Sequence, residues 1–278
     1  MSLDAGFSCP NRDGTKGRQG CAFCDPASFS PAFGDARSVS EQLSEAIVKL
    51  TTRGLASKFA AYFQPGANTY APPEALREAW ENAAAFPEVV ALCVGTRPDC
   101  VPDSVLDLLA SYVGRFGEIW LELGLQSAKD ETLRRLGRGH TVADFRDACA
   151  GARSRGLRVC AHVILGLPGE MPQDEAATAE LLAELEVEGV KLHQLAFVEG
   201  TRLGEEWRQG LVRAIEEEEY VERAVAFIRR LRPGTVLHRL VGDTAGARLL
   251  APRYDKARVV RAIRAALAGA PVAPLPRG

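Results

Sequence analysis

The sequence predicts an α/β protein built on a parallel sheet, and three observations predict it. Hydrophobic periodicity switches repeatedly between runs of strand length and amphipathic segments of helix length. Six βα units follow one another. No linker rich in Pro, Gly or Ser divides the series before Gly200. Six units are fewer than the eight of a complete barrel, so the sheet is either open or a partial barrel, and right-handed crossovers put the functional loops at the C-terminal strand ends.

The first strand, Ser2 to Phe7, leads straight into a loop holding Cys9, Cys21 and Cys24. Ser38 with Glu41 forms a capping box that opens a helix to about Arg53. Strands follow at Lys58 to Gln64, Val89 to Thr96, Glu118 to Gln126, Leu157 to Leu165 and Val190 to Val198, each rich in β-branched or apolar residues. Between them, amphipathic helices run from Pro73 to Ala85, Pro102 to Tyr112, Thr141 to Ser154 and Pro172 to Glu188. After Gly200 come a helix from Glu216 to Leu231, a strand from Val236 to Leu240 and a last helix from Asp255 to Ala268. The Pro- and Ala-rich end of the chain reads as a disordered tail.

With 278 residues, 46% of them hydrophobic, the chain can bury a sizeable core. No stretch approaches the roughly twenty apolar residues of a membrane span, and no signal peptide opens the chain, so no membrane partner and a cytoplasmic location are expected. Seven cysteines in no paired framework argue against a disulfide-stapled secreted protein. From Arg229 onward eleven basic residues face two acids, Asp243 and Asp255, a surplus of nine positive charges. Such a segment reads as a polyanion-facing surface or as a solvated helix face.

The cysteine trio carries the chemistry. Three thiolates with no fourth Cys or His nearby leave a coordination position open; the next cysteines, Cys93 and Cys100, lie beyond helices and a strand. Cys93, Cys100, Cys149 and Cys160 read as small buried hydrophobes. In the fourth strand, alternation puts Trp120, Glu122, Gly124 and Gln126 on one face and the aliphatic Ile119, Leu121, Leu123 and Leu125 on the other. A carboxylate and an amide then face the concave side, where Glu122 meets either a ligand or an interior Lys or Arg. The fifth strand runs through His162 and Ile164 into Gly166-Leu167-Pro168-Gly169-Glu170, whose glycines let backbone approach a flat ligand. Lys191 and His193 share a face of the sixth strand, while Gln64, Asn68, Thr69 and Arg97 follow the ends of the second and third. Polar residues from five strand ends converging on one mouth are the anatomy of a small-molecule site.

A cysteine trio after the first strand of a six-unit βα chain, with an aromatic before the last cysteine, resembles the radical S-adenosylmethionine superfamily. The eleven residues between Cys9 and Cys21 depart from that superfamily's commonest, shorter spacing. Together with Ser8-Cys9-Pro10-Asn11-Arg12-Asp13-Gly14, Asn68-Thr69-Tyr70, Gly95-Thr96-Arg97-Pro98-Asp99, Glu122-Leu123-Gly124-Leu125-Gln126-Ser127, Arg138-Gly139-His140 and Lys191-Leu192-His193, it is similar to the YhcC/YtqA type, relatives of the Elongator catalytic subunit. The resemblance implies a partial (β/α)6 TIM-like barrel of the radical SAM type over residues 1–200, carrying the iron-sulfur loop. It implies a small, basic C-terminal α/β extension over 201–270, followed by a tail over 271–278. It implies a [4Fe-4S] cluster on Cys9, Cys21 and Cys24, and S-adenosyl-L-methionine on the open iron, cleaved to a 5'-deoxyadenosyl radical. Glu122 and Gln126 would hold its ribose or methionine end, the Ile164 to Gly169 turn, with Gly166, would contact its adenine, and His162 is a further cofactor contact. Asn68, Thr69 and Arg97 are further contacts. The implied partners are a tRNA, modified at C5 of its wobble uridine, and a one-electron donor of the flavodoxin or ferredoxin type. Two other readings stand beside this one: the same chemistry on a small metabolite or peptide, and a non-catalytic zinc module.

Overall fold

The computed structural model describes residues 1–243 and 246–268. Seven strands form one parallel sheet, in the order β1 (Ser2–Leu3), β2 (Phe59–Phe63), β3 (Val89–Thr96), β4 (Glu118–Gln126), β5 (Arg158–Leu165), β6 (Gly189–Gln194) and β8 (Val236–Arg239). The sheet curls into a partial barrel. A separate pair, β7 (Phe197–Val198) and β9 (Leu249–Ala251), runs antiparallel.

The crossovers are the amphipathic segments read from the sequence: α2 (Val39–Thr52), α3 (Pro73–Ala84), α4 (Asp103–Ala110), α6 (Val142–Arg153) and α7 (Pro172–Glu184). Ser38 caps α2 and Thr141 caps α6, each in a complete capping box. Pro73 and Pro172 open α3 and α7, where a missing N–H costs nothing. Short helices α1 (Pro26–Phe29), α5 (Asp130–Arg135) and α8 (Arg202–Arg208) shape the loops, and α9 (Glu217–Ile228) and α10 (Lys256–Leu267) complete the C-terminal part.

The apolar face of β4 packs outward: Leu121, Leu123 and Leu125 are fully buried in a core that runs from Leu3 to Leu267. Because that core and β8 both draw on residues beyond Gly200, the segment expected as an extension shares sheet and core with the barrel. The seventh strand therefore lengthens the six-unit series.

Two expected strands are shorter than their hydrophobicity suggests. The first stops at Leu3 because the Asp4 carboxylate accepts the backbone N–H of Gly6 at 2.8 Å and of Gly34 at 2.8 Å, turning the chain out of the sheet. The run Val190 to Val198 breaks after Gln194, and Phe197–Val198 turns away to pair with β9. The helix expected to reach Glu188 ends at Glu184, and Glu186 with φ of 55° closes it. The expected tail at 271–278 lies outside the described residues. No described helix is long and apolar enough to cross a membrane.

Candidate functional site

The C-terminal strand ends surround a cavity of about 520 Å³, and the loop after β1 forms one side of its mouth. That loop folds on its own backbone: Arg12 N–H donates to Cys9 O at 2.7 Å, Gly20 N–H to Asn11 O at 2.8 Å, and Cys24 N–H to Cys21 O at 2.9 Å. Arg12 ties the turn shut, Nη2 to Cys24 O at 2.6 Å. Cys9, Cys21 and Cys24 all line the cavity. The spacing that looked long in sequence is taken up by the tight turns of residues 10–20.

The barrel wall brings Arg97, Glu122, Gln126, His162 and Ile164 to the same cavity. Glu122 is 2% exposed and fully paired: Lys191 Nζ lies 2.5 Å from Oε2 and His162 Nε2 lies 2.8 Å from the same oxygen. Of the two fates open to this carboxylate, the interior ion pair is the one observed. Burial alone would raise the Glu122 carboxyl, but the Lys191 charge and the His162 bond outweigh it and hold it well below the usual carboxylate range. Lys191 also sits 4.0 Å from the Tyr62 ring centroid, a cation–π contact on the cavity side. Gln126 ends β4 with φ of 72°, a conformation that costs a non-glycine residue energy and turns its amide into the cavity wall.

Four expected contacts do not form part of this wall. Asn68 is fully buried, and its amide donates to the carbonyls of Phe63, Pro65 and Gly95, closing the end of β2. The Thr69 hydroxyl bonds Thr96 Oγ1 at 2.6 Å and Cys100 O at 2.5 Å. Gly166 donates its N–H to the Glu175 carboxylate at 2.8 Å, and a Cβ there would meet Ile215 at 2.9 Å. Gly169 turns toward Arg135, so only Ile164 of that segment reaches the cavity. Cys93, Cys100, Cys149 and Cys160 are buried as expected, and burial pushes the Cys93 thiol up to about 12.

Sequence reasoning gave no role to two groups that touch Cys21. Asn11 Nδ2 lies 3.1 Å and Arg138 Nη1 3.3 Å from its sulfur. Burial alone would raise the Cys21 thiol, but the Arg138 charge and the two donors reverse that and favour the thiolate. Burial and the neighbouring Cys21 charge push Cys24 up to about 11. Arg97 Nη1 and Arg138 Nε are buried without a partner. Three thiols and two guanidiniums with spare donors suit a sulfur-rich anion. Among the described residues no three His, Cys, Asp or Glu groups converge on a point that one metal ion could occupy.

Residues 13–182 match the family model described as Radical SAM superfamily. The chain belongs to the radical SAM superfamily. Cys21 and Cys24 fall inside the matched segment and Cys9 just before it, and residues 187–268 match the Radical_SAM C-terminal domain. This radical SAM enzyme is 45% identical to protein YhcC of Escherichia coli over 93% of this chain and 82% of that one. It is 31% identical to the tRNA uridine(34) acetyltransferase of Methanocaldococcus jannaschii over 55% of this chain and 28% of that protein. Among solved structures, Elp3 of Methanocaldococcus infernus with an N-terminal deletion superposes with a TM-score of 0.72 at 20% identity, over 84% of this chain and 60% of that one; at that identity the likeness shows the fold. Membership of the superfamily implies a [4Fe-4S] cluster and S-adenosylmethionine as cofactors.

Proposed function

We propose that Cys9, Cys21 and Cys24 each bind one iron of a [4Fe-4S] cluster, leaving the fourth iron for S-adenosylmethionine, and that the enzyme modifies the C5 side chain of a tRNA wobble uridine. The observation that carries the cofactor reading is the convergence of all three cysteines with Arg97, Glu122, Gln126 and Ile164 on one cavity. Together, the two cofactors supply a 5'-deoxyadenosyl radical after one-electron reduction by a flavodoxin- or ferredoxin-type donor. The chain's own residues hold and shield: Gln126 and the Glu122 ion pair line the wall where the ribose and methionine would lie, and Ile164 offers an apolar surface for adenine. The zinc-module reading is disfavoured because sulfurs on one zinc must crowd within about 4 Å of each other, whereas a cluster spreads its thiolates over separate irons.

The tRNA part rests on the acetyltransferase relative and on exposed basic side chains. Part of the charge surplus after Arg229 is met by ion pairs within the chain: Arg230, Arg232, Arg239, Arg248, Lys256 and Arg258 each pair with a carboxylate, Arg239 and Lys256 sharing Asp243. Arg18 on the cysteine loop and Arg261 and Arg264 on α10 are exposed and make no ion pair among the described residues. Arg229 and Arg253 of the same segment are likewise exposed and without an ion pair among the described residues, but their guanidiniums donate to Ala266 O and Leu249 O, which leaves Arg18, Arg261 and Arg264 as the three proposed phosphate contacts. Three such contacts give binding that weakens roughly 40-fold between 50 and 200 mM salt. Filter binding of tRNA bearing a wobble uridine across that range is expected to return this slope, and Arg261→Glu with Arg264→Glu to lower it. Absent or salt-insensitive binding would remove RNA and leave a small metabolite or peptide as substrate, which the internal pairing of the basic segment favours.

A further inference from the structure

The Arg138-Gly139-His140 loop is held against the cysteine loop by its own carbonyls. Asn11 Nδ2 donates to Gly137 O at 2.8 Å and to Arg138 O at 3.1 Å, Arg97 Nη2 to Arg138 O at 2.6 Å, and Lys16 Nζ to Gly139 O at 2.7 Å. Asp99 anchors both cations, 2.9 Å from Arg97 and 2.5 Å from Lys16. Gly139 has φ of 67°, and a Cβ there would stand 3.1 Å from Asn11 Oδ1, so the approach depends on glycine.

The result of this clamp is a fixed guanidinium. Arg138 is 7% exposed, has no carboxylate partner among the described residues, and donates Nη2 to Gly124 O at 2.8 Å and Nη1 to Cys21 Sγ at 3.3 Å. Asn11, 3% exposed, adds a second donor to the same sulfur at 3.1 Å. A buried cation with no carboxylate is costly unless another anion faces it, and Cys21 Sγ, 3.3 Å away, is the group that would carry negative charge when bound to iron.

Resting on the cluster reading above, we propose that Arg138 and Asn11 are positioning residues that raise the reduction potential of the cluster through Cys21. An electron entering a cluster adds negative charge, and hydrogen bonds and a fixed cation at a ligand sulfur stabilise that reduced state more than the oxidised one. In the low dielectric of the buried loop the effect is weakly screened. Asn11 and Arg138 meet at the same sulfur, so their effect runs through Cys21.

The test is a reductive titration followed by electron paramagnetic resonance on anaerobically reconstituted wild type, Arg138→Gln, Arg138→Lys and Asn11→Leu, with iron and sulfide measured in each. Arg138→Gln is expected to lower the reduced-to-oxidised ratio at a fixed applied potential at least tenfold, which is 59 mV for a one-electron couple. Arg138→Lys keeps the charge and returns more than half of that shift, and Asn11→Leu lowers the ratio by less than Arg138→Gln. Equal potentials at full iron and sulfide content would overturn the proposal, as would loss of the cluster from all three variants, which would make the network a clamp for the loop alone. A wild type that takes up no cluster fails the cofactor reading itself, a result distinct from either.

Discussion

Cys24→Ala is expected to reduce 5'-deoxyadenosine formation, in the presence of S-adenosylmethionine and a one-electron reductant, to the level of a protein-free control. Each thiolate in a three-cysteine cage binds its own iron, so no neighbouring group can replace a lost one. The structure offers no substitute close by: Cys93 and Cys100 are buried, and burial pushes both thiols up to about 12, far from the thiolate state a ligand needs. Cys93→Ala serves as the matched control, because this thiol lies in a small apolar cluster with Trp120 and Cys160. It is expected to keep the wild-type yield. Equal product from Cys24→Ala and wild type would separate that thiol from the chemistry.

Glu122→Leu is expected to destabilise the fold by about 3–5 kcal/mol, read as a lower denaturant midpoint, because it strands the Lys191 ammonium in the barrel interior. The side chains of Glu122 and Lys191 are 1% and 9% exposed, so water cannot repair the loss. The second substitution Lys191→Met in the same chain is expected to restore most of that stability, since removing both members leaves no orphaned charge. A double variant as weak as the single one would mean that Lys191 is not what Glu122 stabilises. The same pair sets a pH dependence. With the native Glu122 carboxyl held below its ordinary range, its contribution is complete above the unfolded value of about 4.3 and is lost as pH falls below it toward the lowered native value. The double variant is expected to flatten that part of the stability profile.

The legibility of these residues in the sequence follows from how local their signals are. The cysteine loop was readable because three thiols within one short segment are already a ligand set, and β4 because strict alternation over Glu118–Gln126 sorts inward from outward side chains. Periodicity puts Glu122 on the concave side and Lys191 on one face with His193, yet Glu122 and Lys191 lie across β5 from each other, and no sequence rule measures that distance. In sequence Asn68 and Thr69 look like ligand contacts, because a polar residue after a strand looks the same whether it meets a ligand or closes backbone carbonyls. Arg138 and Asn11 sit in loops without period, and their meeting at Cys21 depends on turns that carry no hydrophobic pattern. The short elements α5, α8 and β9, of six, seven and three residues, are too brief for either period to register.

The most direct measurement is the iron and acid-labile sulfide bound per chain after oxygen-free reconstitution, compared between wild type and the variant in which Cys9, Cys21 and Cys24 are all alanine. About four of each per wild-type chain, with neither retained by the variant, is the outcome that the three-thiol cage requires. Sulfide held equally by both proteins, or by neither, would contradict it.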